Sequence, residues 1–128
     1  MLRISSAALE TTLVHLRSEL PHEGVGIWVG RKGWALQAVP LHNIHNEPRV
    51  AYTADPAELL KHLKELEASR LELVAIYHSH PNSPATPSQS DIAQAFWRVP
   101  YVIVEMQTEQ LRAWKLPELE EVSIHVDQ

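Results

Sequence analysis

The chain has 128 residues, of which 45% are hydrophobic and 21% are charged; this size and composition predict one soluble domain over residues 1–128 and disfavour disordered and membrane-embedded classes. Cysteine is absent, which excludes a disulfide framework and leaves histidine and carboxylate side chains to hold any metal. The formal net charge is −5 and no lysine or arginine cluster offsets it, so we expect no nucleic-acid partner.

The N-terminal segment is predicted to form an amphipathic helix over residues 6–20. Ser5 and Ser6 are candidate N-caps, and Pro21 ends the segment. Leucines follow at helical spacing, at Leu9, Leu13, Leu16 and Leu20. Glu10 lies within the first turns and no continuous apolar core is present, so we do not expect a signal peptide. The default expectation is a cytoplasmic protein without a membrane partner.

A β-hairpin is predicted after this helix. Strands are predicted at residues 25–29 and 34–39, and the turn sequence GRKG lies between them. Residues 40–54 have no strong periodicity, so we expect a loop there with one short strand near residues 49–53.

The clearest helix of the chain begins after Asp55 and ends near Arg70. Asp55 is a candidate N-cap, Pro56 is the first helical residue, and Glu58 completes a capping box. We expect a buried stripe of leucines at Leu59, Leu60, Leu63 and Leu66. Residues 71–77, LELVAIY, are apolar on both faces apart from one glutamate, which is typical of a central strand covered on both sides.

The C-terminal third is predicted to add one helix and several strands. The helix starts near Pro87, and its expected inner face is Ile92, Ala95 and Phe96. Residues 101–106 and 111–116 are predicted to pair as a hairpin. Alternating apolar residues then predict an edge strand through Val122, Ile124 and Val126. Together the elements predict an α/β fold, with a mixed central sheet flanked by helices.

Two histidines follow the predicted central strand. His78 and His80 are spaced by one residue, so in an extended chain they project from one face while Ser79 projects from the other. Two imidazoles side by side suit a metal ion.

A serine and an aspartate follow at helical spacing. Thr86 is the predicted N-cap and Pro87 the first helical residue, a register that leaves Ser88 free of capping. Ser88 and Asp91 are three residues apart and share a face of the helix, so one turn can aim both at the histidines. Two nitrogens, one carboxylate oxygen and a vacant fourth position are what a catalytic zinc site uses.

Two other classes of metallohydrolase also use an H-x-H pair. Amidohydrolase barrels need a chain about twice this length. The metallo-β-lactamase pattern requires Asp and His where this chain has Asn82 and Ser83. Both classes are poor fits.

The chain has HSHP, then seven residues between the second histidine and a serine, and then SxxD. This pattern resembles the signature of the JAMM, or MPN-plus, metallopeptidases. The matching positions are His78, Ser79, His80, Pro81, Ser88 and Asp91. That family also has a glutamate after its first helix, and Glu23 in the segment PHEGVG corresponds to it. The resemblance covers nearly the whole chain and is strongest to the compact prokaryotic stand-alone members.

The resemblance implies an MPN/JAMM-like fold with cytidine-deaminase-like layering, and one zinc ion per chain held by His78, His80 and Asp91. Glu23 would act as general base and then acid, and Ser88 would donate a hydrogen bond to the developing oxyanion. The implied substrate is a ubiquitin-like or sulfur-carrier protein, cleaved at an isopeptide or peptide bond after its C-terminal Gly-Gly tail.

Other interpretations stay open at this point. A catalytically inactive MPN-type scaffold would keep the fold and act only in protein interaction, although such proteins usually lack several of the motif residues present here. A relative associated with DNA repair is disfavoured by the acidic balance of the chain. His42 and His45 lie in the predicted loop, where they would either face substrate or be solvated.

Overall fold

Eight strands and three helices make up the described part of the computed structural model, which covers residues 1–127 of the chain. Within these residues the elements are β1 (Leu2–Ser5), α1 (Ser6–Glu19), β2 (Val25–Arg31), β3 (Trp34–Leu41), α2 (Pro56–Ser69), β4 (Glu72–His80), α3 (Gln89–Ala93), β5 (Tyr101–Glu105), β6 (Gln110–Lys115), β7 (Glu120–Val122) and β8 (Ile124–Asp127). No helix in this part of the chain is long and apolar enough to cross a membrane.

All eight strands of the described residues belong to one mixed sheet, in the order β7-β6-β5-β4-β2-β3-β1-β8. β4 lies near the middle, antiparallel to β2 and parallel to β5, as the prediction of a central strand requires. β7 and β8 lie at opposite ends of this order, yet only Ser123 separates them in sequence. The sheet therefore curls until its two edges come close, and the Leu2 N–H of β1 donates to the Ser123 carbonyl (2.9 Å).

The prediction of one edge strand at the C-terminus is wrong. Val122 ends β7, which pairs antiparallel with β6, whereas Ile124 and Val126 lie in β8, which is parallel to β1. Alternating apolar residues indicate extended chain on both sides of Ser123. They do not indicate the partner strands, because those depend on how the whole sheet curls. β1 is likewise absent from the sequence prediction.

Different helices cover the two faces of the sheet. α1 packs on one face, where Leu16 and Trp28 belong to the same apolar cluster. α2 covers the other face, where Leu59 packs on a cluster that contains Ile76. Because His78 follows Ile76 by two residues in β4, the two side chains project from the same face. The histidine pair therefore lies on the α2 side of the sheet.

The predicted N-caps of the first two helices are confirmed, but Glu58 completes no capping box, because its carboxylate accepts the His42 N–H (2.7 Å) instead. The side-chain oxygens of Ser5 and Asp55 accept backbone N–H groups of α1 and α2, at 3.1 and 3.0 Å. The buried stripe of α2 is confirmed in part: Leu59 and Leu66 pack against the sheet, but Leu60 is 54% exposed. Leu60 follows Leu59 directly and so points about 100° away from it around the helix.

α3 begins two residues later than predicted. Its N-cap is Ser88 and not Thr86: the Asp91 N–H donates to Ser88 Oγ (3.0 Å), and the Ser88 N–H donates to Asp91 Oδ2 (2.9 Å). This reciprocal pair is a capping box, and the same Asp91 carboxylate also faces the two histidines. The predicted inner face is wrong at Phe96, which is 80% exposed, while Ile92 packs on the sheet.

The segment between β3 and α2 has no strand near residues 49–53 within the described chain, so that prediction is wrong. An isolated bridge joins Asn43 and Ala54. Four hydrogen bonds between the Asn43 side chain and the backbone, two donated and two accepted by Asn43, take the place of a strand ladder.

Candidate metal centre

β4 runs through both histidines of the motif and ends at His80. His78 is 0% and His80 is 3% exposed, and their Nε2 atoms lie 3.3 Å apart. Ser79 faces the opposite way, where its Oγ accepts a hydrogen bond from the Gly24 N–H (2.8 Å). The strand therefore places two imidazole nitrogens side by side, almost out of contact with solvent.

Asp91 approaches the two histidines from α3. Its Oδ1 lies 3.2 Å from His78 Nε2, and its Oδ2 lies 3.0 Å from His80 Nε2. Burial alone would raise the pKa of Asp91, but hydrogen bonds and charge interactions with the histidines, and the Ser88 N–H, hold that pKa well below its usual range. Asp91 is thus an anion at the point where the two nitrogens converge.

A backbone carbonyl orients His80. The His80 Nδ1–H donates to the Pro84 carbonyl (2.7 Å) in the proline-rich loop after β4. With its proton on Nδ1, the neutral ring presents a lone pair at Nε2, as metal-binding histidines do. Burial lowers the pKa of His80, but Asp91, the Pro84 carbonyl and Glu23 together raise it. The Nε2 position is therefore suited to hold a proton or a cation.

His78 is kept neutral by its surroundings. Burial has the largest effect on the pKa of His78 and lowers it, although Asp91 acts in the opposite direction. The Tyr52 ring stacks on the imidazole, with ring centroids 4.3 Å apart. A neutral, packed ring with Nε2 facing Asp91 is in the form that binds a metal.

Glu23 reaches the same cluster from the turn between α1 and β2. One of its carboxylate oxygens lies within 4.8 Å of ligand atoms of His78, His80 and Asp91. Its Oε1 is buried without a hydrogen-bond partner among the described residues. Burial raises the pKa of Glu23 to about 7, His80 opposes that rise, and the Asp91 charge adds to it. A carboxyl group with such a pKa can take up and release a proton at neutral pH.

The backbone on either side of Glu23 is held by distant parts of the chain. The Glu23 N–H donates to the Pro48 carbonyl (2.6 Å), and Asn43 Nδ2 donates to the Glu23 carbonyl (2.9 Å). The Ser79 N–H donates to the Gly24 carbonyl (3.0 Å), next to the bond that the Ser79 hydroxyl accepts. Sequence reasoning missed Asn43 and Pro48, and it named Ser79 only as a match to the family signature, without a role.

The four clustered residues fit a divalent cation. With Glu23 ionised, two neutral imidazoles and two carboxylates carry a formal charge of −2 in a buried place, which one divalent ion would balance. The N···N distance of 3.3 Å and the N···O distances of 3.0 and 3.2 Å are near the edge of a tetrahedron of zinc ligands, about 3.3–3.4 Å for bonds of 2.0–2.1 Å. Nitrogen and oxygen donors in this number are those that zinc accepts.

Ser88 lies next to the cluster through Asp91, but it is exposed. The prediction that Ser88 is free of capping is wrong, because its Oγ accepts the hydrogen bond that caps α3. A hydroxyl has one donor as well as two acceptor lone pairs. The Ser88 O–H is therefore still able to donate to a group outside the helix.

The two histidines of the loop after β3 lie outside the cluster. His42 is mostly exposed and pairs with Glu58 of α2 (Nδ1 to Oε2, 2.5 Å), which raises the pKa of His42. His45 Nδ1 accepts a hydrogen bond from the Glu47 N–H (2.9 Å). The His42 contact joins the loop to α2, and the His45 contact lies within the loop.

Known proteins resemble the chain over most of its length. The model of a family described as prokaryotic homologues of the JAB domain matches residues 5–117. A probable TtuB-protein conjugate cleaving protease of Thermus thermophilus is 51% identical over 126 residues, which are 98% of this chain and 83% of that protein. A desampylase of Haloferax volcanii is 31% identical over 134 residues, covering 98% of this chain and 96% of that protein. A solution structure from Desulfitobacterium hafniense has a TM-score of 0.90 and 27% identity, covering 100% of this chain and 94% of its own.

Proposed function

Because the chain belongs to the family of prokaryotic homologues of the JAB domain, we propose that it is a zinc-dependent protease that releases ubiquitin-like or sulfur-carrier proteins from their conjugates. The bond cut is an isopeptide or peptide bond at the C-terminal tail of the carrier. The observation that carries this proposal is the buried cluster of His78, His80 and Asp91 beside the unpartnered carboxylate oxygen of Glu23.

His78, His80 and Asp91 would hold one zinc ion per chain. Bound there, zinc would supply Lewis acidity, which polarises a carbonyl group and lowers the pKa of water to about 7. Three protein ligands are typical of catalytic zinc sites, whereas structural sites use four. The protein's part is to keep the ligands in place: the Pro84 carbonyl holds His80, and the capping box of α3 holds Asp91.

Glu23 would move the proton during hydrolysis. It takes a proton from water as the water oxygen bonds to the carbonyl carbon, and returns it to the nitrogen as the C–N bond breaks. The products are the carrier with a free carboxylate and a free amine. Within residues 1–127, Glu23 Oε1 makes no hydrogen bond that would have to be broken first, and a pKa of about 7 allows both transfers at neutral pH.

Ser88 would stabilise the charge that develops on the carbonyl oxygen. Its hydroxyl oxygen already accepts the Asp91 N–H, which fixes the oxygen and leaves the O–H to donate toward the substrate. A preorganised donor of this kind is worth on the order of 3 kcal/mol in comparable sites.

The substrate class is proposed from the relatives and from the narrowness of the site. The relatives named above are a conjugate-cleaving protease and a desampylase. Glu23 and the three proposed ligands are each at most 4% exposed, so only a slender chain can reach them. A tail that ends in Gly-Gly is slender because glycine has no side chain, and it adopts extended conformations easily.

The proposal is tested with a carrier protein ending in Gly-Gly, joined by an isopeptide bond to a lysine of a reporter protein. With zinc present, mass spectrometry should show intact carrier with a free C-terminal carboxylate, and chelation should stop its release. A matched conjugate in which the last glycine is valine should resist cleavage. If the protein binds one zinc per chain but cleaves neither isopeptide nor peptide conjugates, the inactive scaffold becomes the better interpretation.

A further inference from the structure

The side chain of Asn43 connects the backbone of Glu23 to the loop after β3. Asn43 Nδ2 donates to the carbonyls of Glu23 (2.9 Å) and Ala51 (3.1 Å), and Asn43 Oδ1 accepts the N–H groups of His45 (3.0 Å) and Thr53 (3.0 Å). A side-chain amide has two N–H donors and one oxygen with two lone pairs. The full hydrogen-bonding capacity of Asn43 is therefore spent on four backbone groups.

Glu23 has two backbone supports of different kinds. On the β4 side, the N–H of the neighbouring Gly24 donates to Ser79 Oγ, and the Gly24 carbonyl accepts the Ser79 N–H. The sheet sets the position of Ser79. On the loop side, Glu23 bonds to Pro48 and Asn43. The loop does not belong to the sheet, and among its described side chains Asn43 is the one that bonds to Glu23. The same side chain ties this contact to three further backbone groups of the loop.

We propose that Asn43 is a positioning residue that fixes Glu23 for proton transfer. This inference rests on the proposed function, in which Glu23 is the base. Glu23 Oε1 has no hydrogen-bond partner in the described chain, so the carboxylate is aimed mainly by its own backbone. A displacement of about 1 Å at such a group can lower a rate by about 10²-fold.

The decisive variant is Asn43→Asp, which keeps the size and the Oδ1 acceptor but removes both Nδ2 donors. The His45 and Thr53 N–H groups keep their acceptor, and the Glu23 carbonyl loses its donor. Asn43→Ala is the second variant, because it adds no charge. The matched control is His45→Ala, which removes another hydrogen bond of the same loop, from the Glu47 N–H, without touching Glu23.

We expect Asn43→Asp and Asn43→Ala to lower kcat about 10- to 100-fold, with KM and zinc per chain unchanged. His45→Ala should stay within about twofold of wild type, since it leaves the Glu23 contacts intact. Hydrogen exchange provides a readout that needs no substrate. The Glu23 amide should exchange faster in both Asn43 variants, and the Thr53 amide should lose protection only in Asn43→Ala.

Wild-type kcat in both Asn43 variants would overturn the inference. So would a loss of kcat that only follows a loss of zinc or a fall in Tm, because Asn43 would then be structural. If the wild type cleaves no conjugate, the proposed function fails, and hydrogen exchange still judges Asn43 separately: an unchanged exchange rate at Glu23 would overturn its positioning role.

Discussion

Each face of β4 has a histidine contact, and the two are built differently. On one face the Tyr77 O–H donates to His15 Nδ1 (2.7 Å), and the other ring nitrogen of His15 lies 3.4 Å from Glu19 Oε1. On the other face the Nε2 atoms of His78 and His80 meet each other and Asp91.

The difference lies in the pattern of donors and acceptors. At His15 the nitrogen that faces the carboxylate is free to carry the proton, because Nδ1 accepts the Tyr77 O–H, so this site needs no ion. Burial lowers the pKa of His15, against the effect of Glu19. His80 already donates from Nδ1 to Pro84, so its Nε2 can only accept while the ring is neutral. A buried histidine beside a carboxylate therefore indicates a metal only when the ring nitrogen that faces it lacks a proton.

Removing one proposed ligand should abolish zinc binding on the face of β4 that carries His78 and His80. We expect Asp91→Ala to lower zinc from about one per chain to nearly none and to remove measurable turnover, because two nitrogens alone do not make a catalytic site. Elemental analysis of protein purified without chelator measures this. Asp55→Ala is the control, since it removes an aspartate N-cap from α2 and leaves the cluster intact. Asp91→Ala protein that kept its zinc would rule out the proposed ligand set.

Replacing the proposed base should separate metal binding from proton transfer. Glu23→Gln should lower kcat by about 10² to 10⁴-fold, the usual contribution of a positioned acid–base group, while zinc per chain stays at the wild-type value. Single-turnover kinetics with a carrier conjugate measures the effect. Wild-type turnover in this variant would show that another group takes the proton.

A pair of helix caps tests the role of Ser88. Ser88→Ala and Ser5→Ala each remove an N-cap hydrogen bond, at 3.0 and 3.1 Å, and each should cost about 1 kcal/mol of stability. Only Ser88→Ala should also lower kcat, by about 10² to 10³-fold. Equal kcat values in the two variants would mean that Ser88 acts as a cap alone.

The pH dependence of stability in chelated, zinc-free protein should reveal the buried Glu23. Its pKa rises from 4.5 to about 7 on folding, so its contribution to stability is fully present below pH 4.5 and is lost as the pH rises through 7. The loss by pH 8 is up to about 3 kcal/mol. Urea unfolding at pH 5 and pH 8 should show this loss in wild type relative to Glu23→Gln; parallel curves would contradict it.

The smallest effect is expected on the opposite face of β4. Tyr77→Phe removes the hydroxyl that donates to His15 and should cost about 1 kcal/mol, with zinc content and kcat unchanged. Thermal unfolding and the conjugate assay measure the two quantities. A loss of zinc in this variant would show that the contacts on the two faces of β4 are coupled.

The sequence alone predicted what short-range physics controls. The starts of α1 and α2 are predictable from Ser5, Asp55 and Pro56, because capping involves residues only two or three apart. The spacing of His78 and His80 indicates a shared face because alternation is a property of any extended strand. The segment around Glu23 has no local pattern of its own, and only its likeness to a known family pointed to that residue.

Tertiary structure decided the rest. Ser88, not Thr86, caps α3 because its backbone and hydroxyl pair with Asp91. The division of the C-terminal segment into β7 and β8 depends on the curl of the sheet. Glu23 lies 55 or more residues from the histidines in sequence, and Ser79 and Asn43 hold its backbone from two distant segments. Such contacts follow from the packing of the whole chain, so no local pattern of residues predicts them.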